Sequence, residues 1–265
     1  MKFALQALGK DVILVIPACC WAIIAGPFPQ LSLDVPVLHT AFETAGAAAS
    51  GLRAALDMKN DTKTTVVAWA GDGGTFDIGF QALSGAVERN EDILYVCYDN
   101  EAYMNTGVQR SSATPFGTRT TTTPGLDWKR TRKKNIVEAM AAHRIPYAAT
   151  ASIAYPDDMI RKFKKAKFMK GCSRFIHVYT TCPTGWGASS EMTVKIARLA
   201  VQTNIFPLYE VEKGSRYTVN VKGLRPVEDY LKVQRRFRHL SEKEYQDAQA
   251  MVDEDWKLLL KKSEV

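Results

Sequence analysis

Apolar residues in this chain gather in short unbroken runs rather than in alternation: VILVI at 12–16, VVAW at 66–69, ILYVCY at 93–98, PYAATAS at 146–152 and FIHVY at 175–179. A strand covered on both faces reads this way, because neither face has to meet water. Between the runs lie stretches of helical spacing. Residues 1–9 and 132–142 are short, 156–169 carries a lysine-rich solvent face, and 189–203 follows the last run. Residues 44–58 are rich in alanine and glycine, small enough for a helix to pack closely on a sheet. Five buried strands separated by helices predict an α/β fold with a doubly wound parallel sheet.

After Phe206-Pro207 the pattern changes. Residues 208–211 and 217–219 alternate like a hairpin around Lys213-Gly214-Ser215,. Residues 225–240 and 241–261 read as two tail helices, the second capped by Ser241 with Glu244 three positions on,. The expected division is therefore a core of residues 1–205 and a C-terminal arm of residues 206–265.

Composition narrows the classes of function. The 265 residues are 46% hydrophobic and 24% charged, the balance of a soluble globular protein,. The net charge of +7 is spread over helical faces, which gives nucleic-acid binding little support,. The one long apolar run, 12–28, is interrupted by Pro17, Gly26 and Pro27 and lacks a basic leader and a cleavage site, so neither a membrane span nor a signal peptide is expected,. Five cysteines without a disulfide spacing pattern point to reduced thiols and the cytoplasm,. With four histidines and no HExxH, Ser-His-Asp order or zinc spacing, a His-based metal site has little room.

The chemistry concentrates in residues 65–118. A buried strand ends in Gly71-Asp72-Gly73-Gly74, a helix is expected over 75–84, and a second strand ends at Asp99-Asn100. In a βαβ unit these tips lie at the carboxyl end of the sheet, where ligands bind. Glycines let the backbone approach a ligand and take φ > 0 where needed, and free N–H groups opening a helix attract anions. A phosphorylated guest follows, but Asp72 would repel it unless a cation intervenes. Mg²⁺ is the usual mediator, held by side-chain and carbonyl oxygens. Asn100 can offer an amide oxygen to the same ion. An ordinary tight turn with a helix cap is the alternative reading of these residues.

Gly71-Asp72-Gly73 followed by Asn100 resembles the thiamin diphosphate motif, and the whole run GDGGTFDIGFQALSGA…YVCYDNEAYMNTGVQRSSATP resembles the β subunit of pyruvate:ferredoxin oxidoreductase and its 2-oxoacid relatives. The resemblance implies the thiamin diphosphate-binding fold, with Asp72 and Asn100 as Mg²⁺ ligands through side-chain oxygens and Ala102 through its carbonyl. It places Gly71, Gly73, Gly74 and Gly107 among the cofactor-binding residues and Asn105 at the reactive ring as the catalytic residue. His39 and Glu43 match the family's HTAFE segment and are expected to point at the cofactor, although a satisfied loop histidine and a first-turn glutamate read equally well.

The same resemblance implies oxidative decarboxylation of a 2-oxoacid, with pyruvate first, to acyl-CoA and CO2, as in anaerobic metabolism. Electrons would pass through a [4Fe–4S] cluster to ferredoxin, an acidic partner that a basic surface steers. Cys20, in PACCW, resembles the family's third cluster cysteine and Cys182, in TCPTGWG, the fourth; a C-x-x-C pair is absent from the chain. Four thiolates normally hold such a cluster. Three readings stay open: the numbering begins at an internal Met, a partner supplies the missing ligands, or there is no cluster. Cys97 and Cys172 read as buried apolar residues.

A single sheet has no room for the pyrimidine-binding domain that such enzymes need. An α subunit is implied, with the active site at the interface, together with γ and ferredoxin-like δ subunits, and the polar tail is expected to embrace a partner. Alternatives are a non-redox thiamin decarboxylase or carboligase subunit, a 2-oxoisovalerate or aryl-2-oxoacid oxidoreductase subunit, and a non-catalytic module that binds a nucleotide or phosphorylated metabolite.

Overall fold

In a computed structural model, residues 1–264 are described. Helix α1 (Lys2–Leu8) leads into β1 (Val12–Pro17), a short helix α2 (Cys20–Ile24), edge strand β2 (Val37–Thr40) and α3 (Ala45–Met58). Strand β3 (Thr65–Gly71) ends in a π-helical turn (Gly74–Ile78) that runs into α4 (Phe80–Glu88) and β4 (Ile93–Asp99). A long loop then reaches α5 (Ile136–Ala142), β5 (Tyr147–Ser152), α6 (Pro156–Phe168), β6 (Arg174–Tyr179), a one-turn helix α7 (Pro183–Trp186) and α8 (Thr193–Gln202). The chain closes with β7 (Leu208–Glu212), β8 (Arg216–Val221), a single turn α9 (Glu228–Leu231) and α10 (Glu242–Ser263).

All eight strands form one sheet in the order β2-β1-β3-β4-β6-β5-β7-β8. The first six are parallel; β7 joins β5 antiparallel and β8 joins β7. Alternate residues of each central strand feed two cores, as a doubly covered sheet requires. Val66, Ala68, Tyr95 and Phe175 pack under α3, α4 and α5. Val67, Trp69, Val96 and Ile176 pack under α1 and α6. Gly46 lets α3 lie against α4, because a Cβ there would sit 2.8 Å from the Ala82 carbonyl oxygen.

Chain direction reverses between β1 and β3: from β1 the chain moves outward to β2 and then returns to β1's other side. Their carboxyl ends therefore open a crevice, the place where ligands bind in open α/β sheets. None of the helices among the described residues is long and apolar enough to cross a membrane.

The five strands and the doubly wound sheet expected from the apolar runs are present, with three differences. Edge strand β2 was not expected, because VLHT is too short and too exposed to read as a buried run. The helix expected over 132–142 starts only at Ile136, since Lys133 and Lys134 turn inward to bond Glu101 and the Phe76 carbonyl. The helix expected over 225–240 is reduced to α9 and one 3-10 turn (Arg235–Phe237), because Tyr230, Gln234 and Arg236 spend their polar groups inside the molecule. The boundary at 205/206 falls inside one continuous sheet, and Leu259 of α10 packs in the main core.

Candidate active site

The crevice between β1 and β3 holds a cavity of about 380 Å³. Gly71, Asp72, Gly73 and Gly74 line it from β3 and the turn beyond; Asn100, Ala102 and Asn105 line it from the loop after β4. Cys19 and Cys20 close it from the end of β1. The glycines serve close approach rather than φ > 0: Gly73 has φ −59°, and a Cβ on it would run into the ring of Tyr103. That ring is fixed by its hydroxyl, which donates to Asp77 Oδ2 at 2.8 Å, and by an edge-on contact with Phe42. The expected helix over 75–84 begins as a π turn, closed by Gly79 N–H donating to the Gly74 carbonyl.

Asp72 is buried, and Ser111 Oγ donates to its Oδ2 at 2.7 Å. The amide oxygen of Asn100 faces two other oxygens, the Ala102 carbonyl at 3.0 Å and Asp72 Oδ1 at 3.1 Å; turned over, the amide would donate to both. Adjacent ligands of an octahedral Mg²⁺ at about 2.0–2.1 Å lie about 2.9 Å apart. A carboxylate, an amide oxygen and a carbonyl oxygen at this spacing are a hard-cation donor set, so the residues fit the ion. Burial and then the neighbouring Asp99 carboxylate push the Asp72 carboxyl well above its ordinary range, a penalty that an adjacent cation offsets.

Residues 99–102 are pinned from behind. Asp99 Oδ1 accepts from Glu101 N–H at 2.8 Å, while Oδ2 accepts from Lys133 Nζ and from His177 Nε2, the latter at 2.8 Å. Burial alone would raise the Asp99 carboxyl, but Lys133 and His177 outweigh it and hold it at about 2. Glu101 takes a left-handed φ of 67°, rare for its type,. Its carboxylate accepts from Lys133 at 3.1 Å and from Arg236 at 2.5 Å. Removing one partner of a buried pair of this kind costs about 3–5 kcal/mol.

Of the remaining expected residues, Cys20 reaches the segment, with Asn100 Nδ2 donating to its sulfur at 3.6 Å. Burial raises its thiol above the ordinary value. Cys182 packs with Met104 against Gly185, outside the cavity. Gly107 (φ 106°) shapes the exposed loop without lining the cavity, and His39 is exposed on β2, with Glu43 exposed beyond it. From the HTAFE segment it is Phe42 that lines the wall. Among the described residues, no group of three His, Cys, Asp or Glu is placed to hold a metal ion. Cys20 and Cys182 therefore do not fit a [4Fe–4S] cluster by themselves.

Sequence reasoning passed over Ser111, Lys133 and Arg236, and it met Trp186 only as part of the TCPTGWG run. Ser111 lies in the polar loop after the motif, where nothing separates one serine from the next. Lys133 and Arg236 are far from the motif in sequence and carry no local signature.

Comparison with known proteins adds the lineage. The family described as thiamine pyrophosphate enzyme, C-terminal TPP binding domain, matches residues 22–178. The chain is 51% identical to the ketoisovalerate oxidoreductase subunit VorB of Pyrococcus furiosus, over all of this chain and 88% of that protein. It is 49% identical to the pyruvate synthase subunit PorB of Methanocaldococcus jannaschii, over 97% of this chain and 90% of that one. Among solved structures, the 2-oxoglutarate:ferredoxin oxidoreductase of Magnetococcus marinus, with 2-oxoglutarate, coenzyme A and succinyl-CoA bound, superposes with a TM-score of 0.59 at 25% identity. The match covers 69% of this chain and 59% of that one.

Proposed function

Because this chain belongs to the thiamine pyrophosphate enzymes and, within them, to the β subunits of the 2-oxoacid:ferredoxin oxidoreductases, we propose that its switch-point cavity holds thiamin diphosphate through Mg²⁺. What supports this reading is the convergence at the crevice of the buried Asp72 carboxylate, the Ala102 carbonyl and one end of the Asn100 amide, which lies 3.0 Å from the Ala102 carbonyl oxygen and 3.1 Å from Asp72 Oδ1. Asp72 and Asn100 bind the ion through side chains and Ala102 through its carbonyl. Gly71, Gly73 and Gly74 leave the backbone open to the diphosphate, with Gly107 shaping the loop that passes over it. Asn105, on the exposed side of the cavity, orients the reactive ring and is the catalytic residue assigned to this chain. When bound, the cofactor supplies the electron sink that lets a 2-oxoacid lose CO2.

The acyl product passes to coenzyme A and the electrons to ferredoxin. Pyruvate is the first substrate reading. The 51% identity with ketoisovalerate relatives over the full chain favours 2-oxoisovalerate as the second. Residues 1–205 bind the cofactor, and the exposed side of residues 206–265, where Leu224 and Leu258 lie open, meets partner subunits. Those partners are an α subunit that brings the pyrimidine-binding domain, with γ and δ subunits completing a cytoplasmic complex. A [4Fe–4S] cluster beside Cys20 and Cys182 requires thiolates beyond these two, and no step is assigned to it. His39, exposed on β2 beside the end of β1, contacts the cofactor from the open side of the crevice.

The test is anaerobic purification of the assembled complex, with thiamin diphosphate, magnesium, iron and acid-labile sulfide measured per protomer and 2-oxoacid-dependent ferredoxin reduction measured across a substrate panel. About one thiamin diphosphate per β subunit, at the stoichiometry of one ion per diphosphate, is expected. A complex that reduces ferredoxin while carrying no thiamin would overturn the reading.

A further inference from the structure

Arg236, from late in the chain, touches both Glu101 and Trp186, the residue that bonds the Asn100 backbone carbonyl. Arg236, 135 positions beyond Glu101, is buried and places Nη2 2.5 Å from Glu101 Oε2. The same nitrogen lies 2.9 Å from the Tyr230 hydroxyl, and Nε donates to Gln234 Oε1 at 2.9 Å. The guanidinium plane also lies over the indole of Trp186, with Cζ 4.0 Å from the ring centroid. Trp186 in turn donates its Nε1–H to the Asn100 carbonyl at 2.9 Å. Arg236 thus grips Glu101 directly and the Asn100 backbone through Trp186.

We propose that Arg236 is a positioning residue for the cation site: it sets the geometry of residues 100–102 and thereby the affinity and size selectivity for the divalent ion. The proposal rests on the Mg²⁺–thiamin diphosphate reading of the cavity. The left-handed backbone at Glu101 supports it, because that conformation persists only where surrounding contacts impose it. Without Arg236 the Glu101 carboxylate keeps only Lys133 at 3.1 Å and the Tyr230 hydroxyl at 3.2 Å, so the residue is held less tightly and the spacing of Asn100 and Ala102 loosens. Lysine would keep the charge but lose the planar fork and the stacking on Trp186. Outer contacts of this kind shift metal affinity by about 10–100-fold. Mg²⁺ also demands tight octahedral geometry, whereas Ca²⁺ accepts a looser one. A loosened segment therefore discriminates less between them.

The experiment uses the assembled complex carrying wild-type β subunit or the Arg236→Gln, Arg236→Lys, Trp186→Phe or Asp72→Ala variant. Bound thiamin diphosphate is measured by thiochrome fluorescence after gel filtration, over titrations of Mg²⁺ and separately of Ca²⁺. Arg236→Gln should raise half-saturating Mg²⁺ by about 10–100-fold and lower the preference for Mg²⁺ over Ca²⁺, with Arg236→Lys in between. Trp186→Phe, which keeps an aromatic surface and removes only the indole donor, should move both quantities in the same direction by a smaller factor. It carries the test if Arg236→Gln does not assemble. A residue that merely holds the fold together would lower the melting temperature without changing the Mg²⁺ to Ca²⁺ ratio. Unchanged Mg²⁺ dependence in Trp186→Phe and in any Arg236 variant that assembles, with Asp72→Ala stripped of cofactor, overturns the positioning role and leaves the cofactor reading standing. Wild-type retention by Asp72→Ala removes the cofactor reading and the proposal with it.

Discussion

At its inner end the switch-point cavity is bounded by residues 99–102, where backbone and side-chain groups are held from several directions: Thr180 N–H on the Asp99 carbonyl, Trp186 on that of Asn100, Thr114 Oγ1 on that of Glu101. At its outer lip, α2 buries none of its residues; Ile23 is 73% exposed, Ile24 63%, and Phe28 just beyond it 92%. The inner wall is finished within this chain, whereas the lip offers apolar surface that nothing among the described residues covers. An enzyme that must hold a small hard ion needs its ligands fixed before the ion arrives. A site completed by another subunit needs the opposite on its open side, an apolar rim that gains by being covered.

Four changes break or sharpen that contrast. Asp72→Ala strikes the inner wall hardest and should abolish thiamin diphosphate retention in the complex while circular dichroism stays native. Gly73→Ala leaves every ligand in place but forces the Tyr103 ring aside. Overpacking of this sort costs about 1–3 kcal/mol, to be read as weaker cofactor binding by calorimetry. A control far from both regions is Glu210, bonded to Arg161 at 2.7 Å and to Lys165 and Tyr147 at 2.8 and 2.9 Å. Burial alone would raise its carboxyl, but these partners hold it at about 2 against an ordinary 4.5. The folded pKa is depressed, so the associated stability is present above pH 4.5 and is lost as pH falls toward 2. Glu210→Gln should therefore flatten the decline of melting temperature across that window. The difference is about 1–2 kcal/mol, discounted because the cationic partners are partly exposed. Smallest of all, Ile23→Ser or Ile24→Ser should leave the isolated chain within about 0.5 kcal/mol of wild type and act instead on assembly, read as a raised dissociation constant for the complex in analytical ultracentrifugation.

Sequence legibility followed the same contrast between local and distant causes. Strands such as ILYVCY announce themselves because burial on both faces leaves a continuous apolar run. GDG and Asn100 were readable because each lies at a strand tip that its own run defines. Ser111, Lys133 and Arg236 were not, since a buried ion pair between Glu101 and a residue 135 positions away leaves no periodic trace. The same residues explain the misplaced helix boundaries. A lysine or arginine diverted inward looks, along the chain, like one more solvated helical position. His39 belongs to a segment that matched the family, and it sits one residue from the end of the short edge strand β2, exposed beside β1.

The Asn100 side chain carries a further consequence. The amide end that lies 3.0 Å from the Ala102 carbonyl and 3.1 Å from Asp72 Oδ1 donates to both when it is the nitrogen, and it satisfies those oxygens without a second negative charge, so Asn100→Asp would set two carboxylates against each other in a buried crevice.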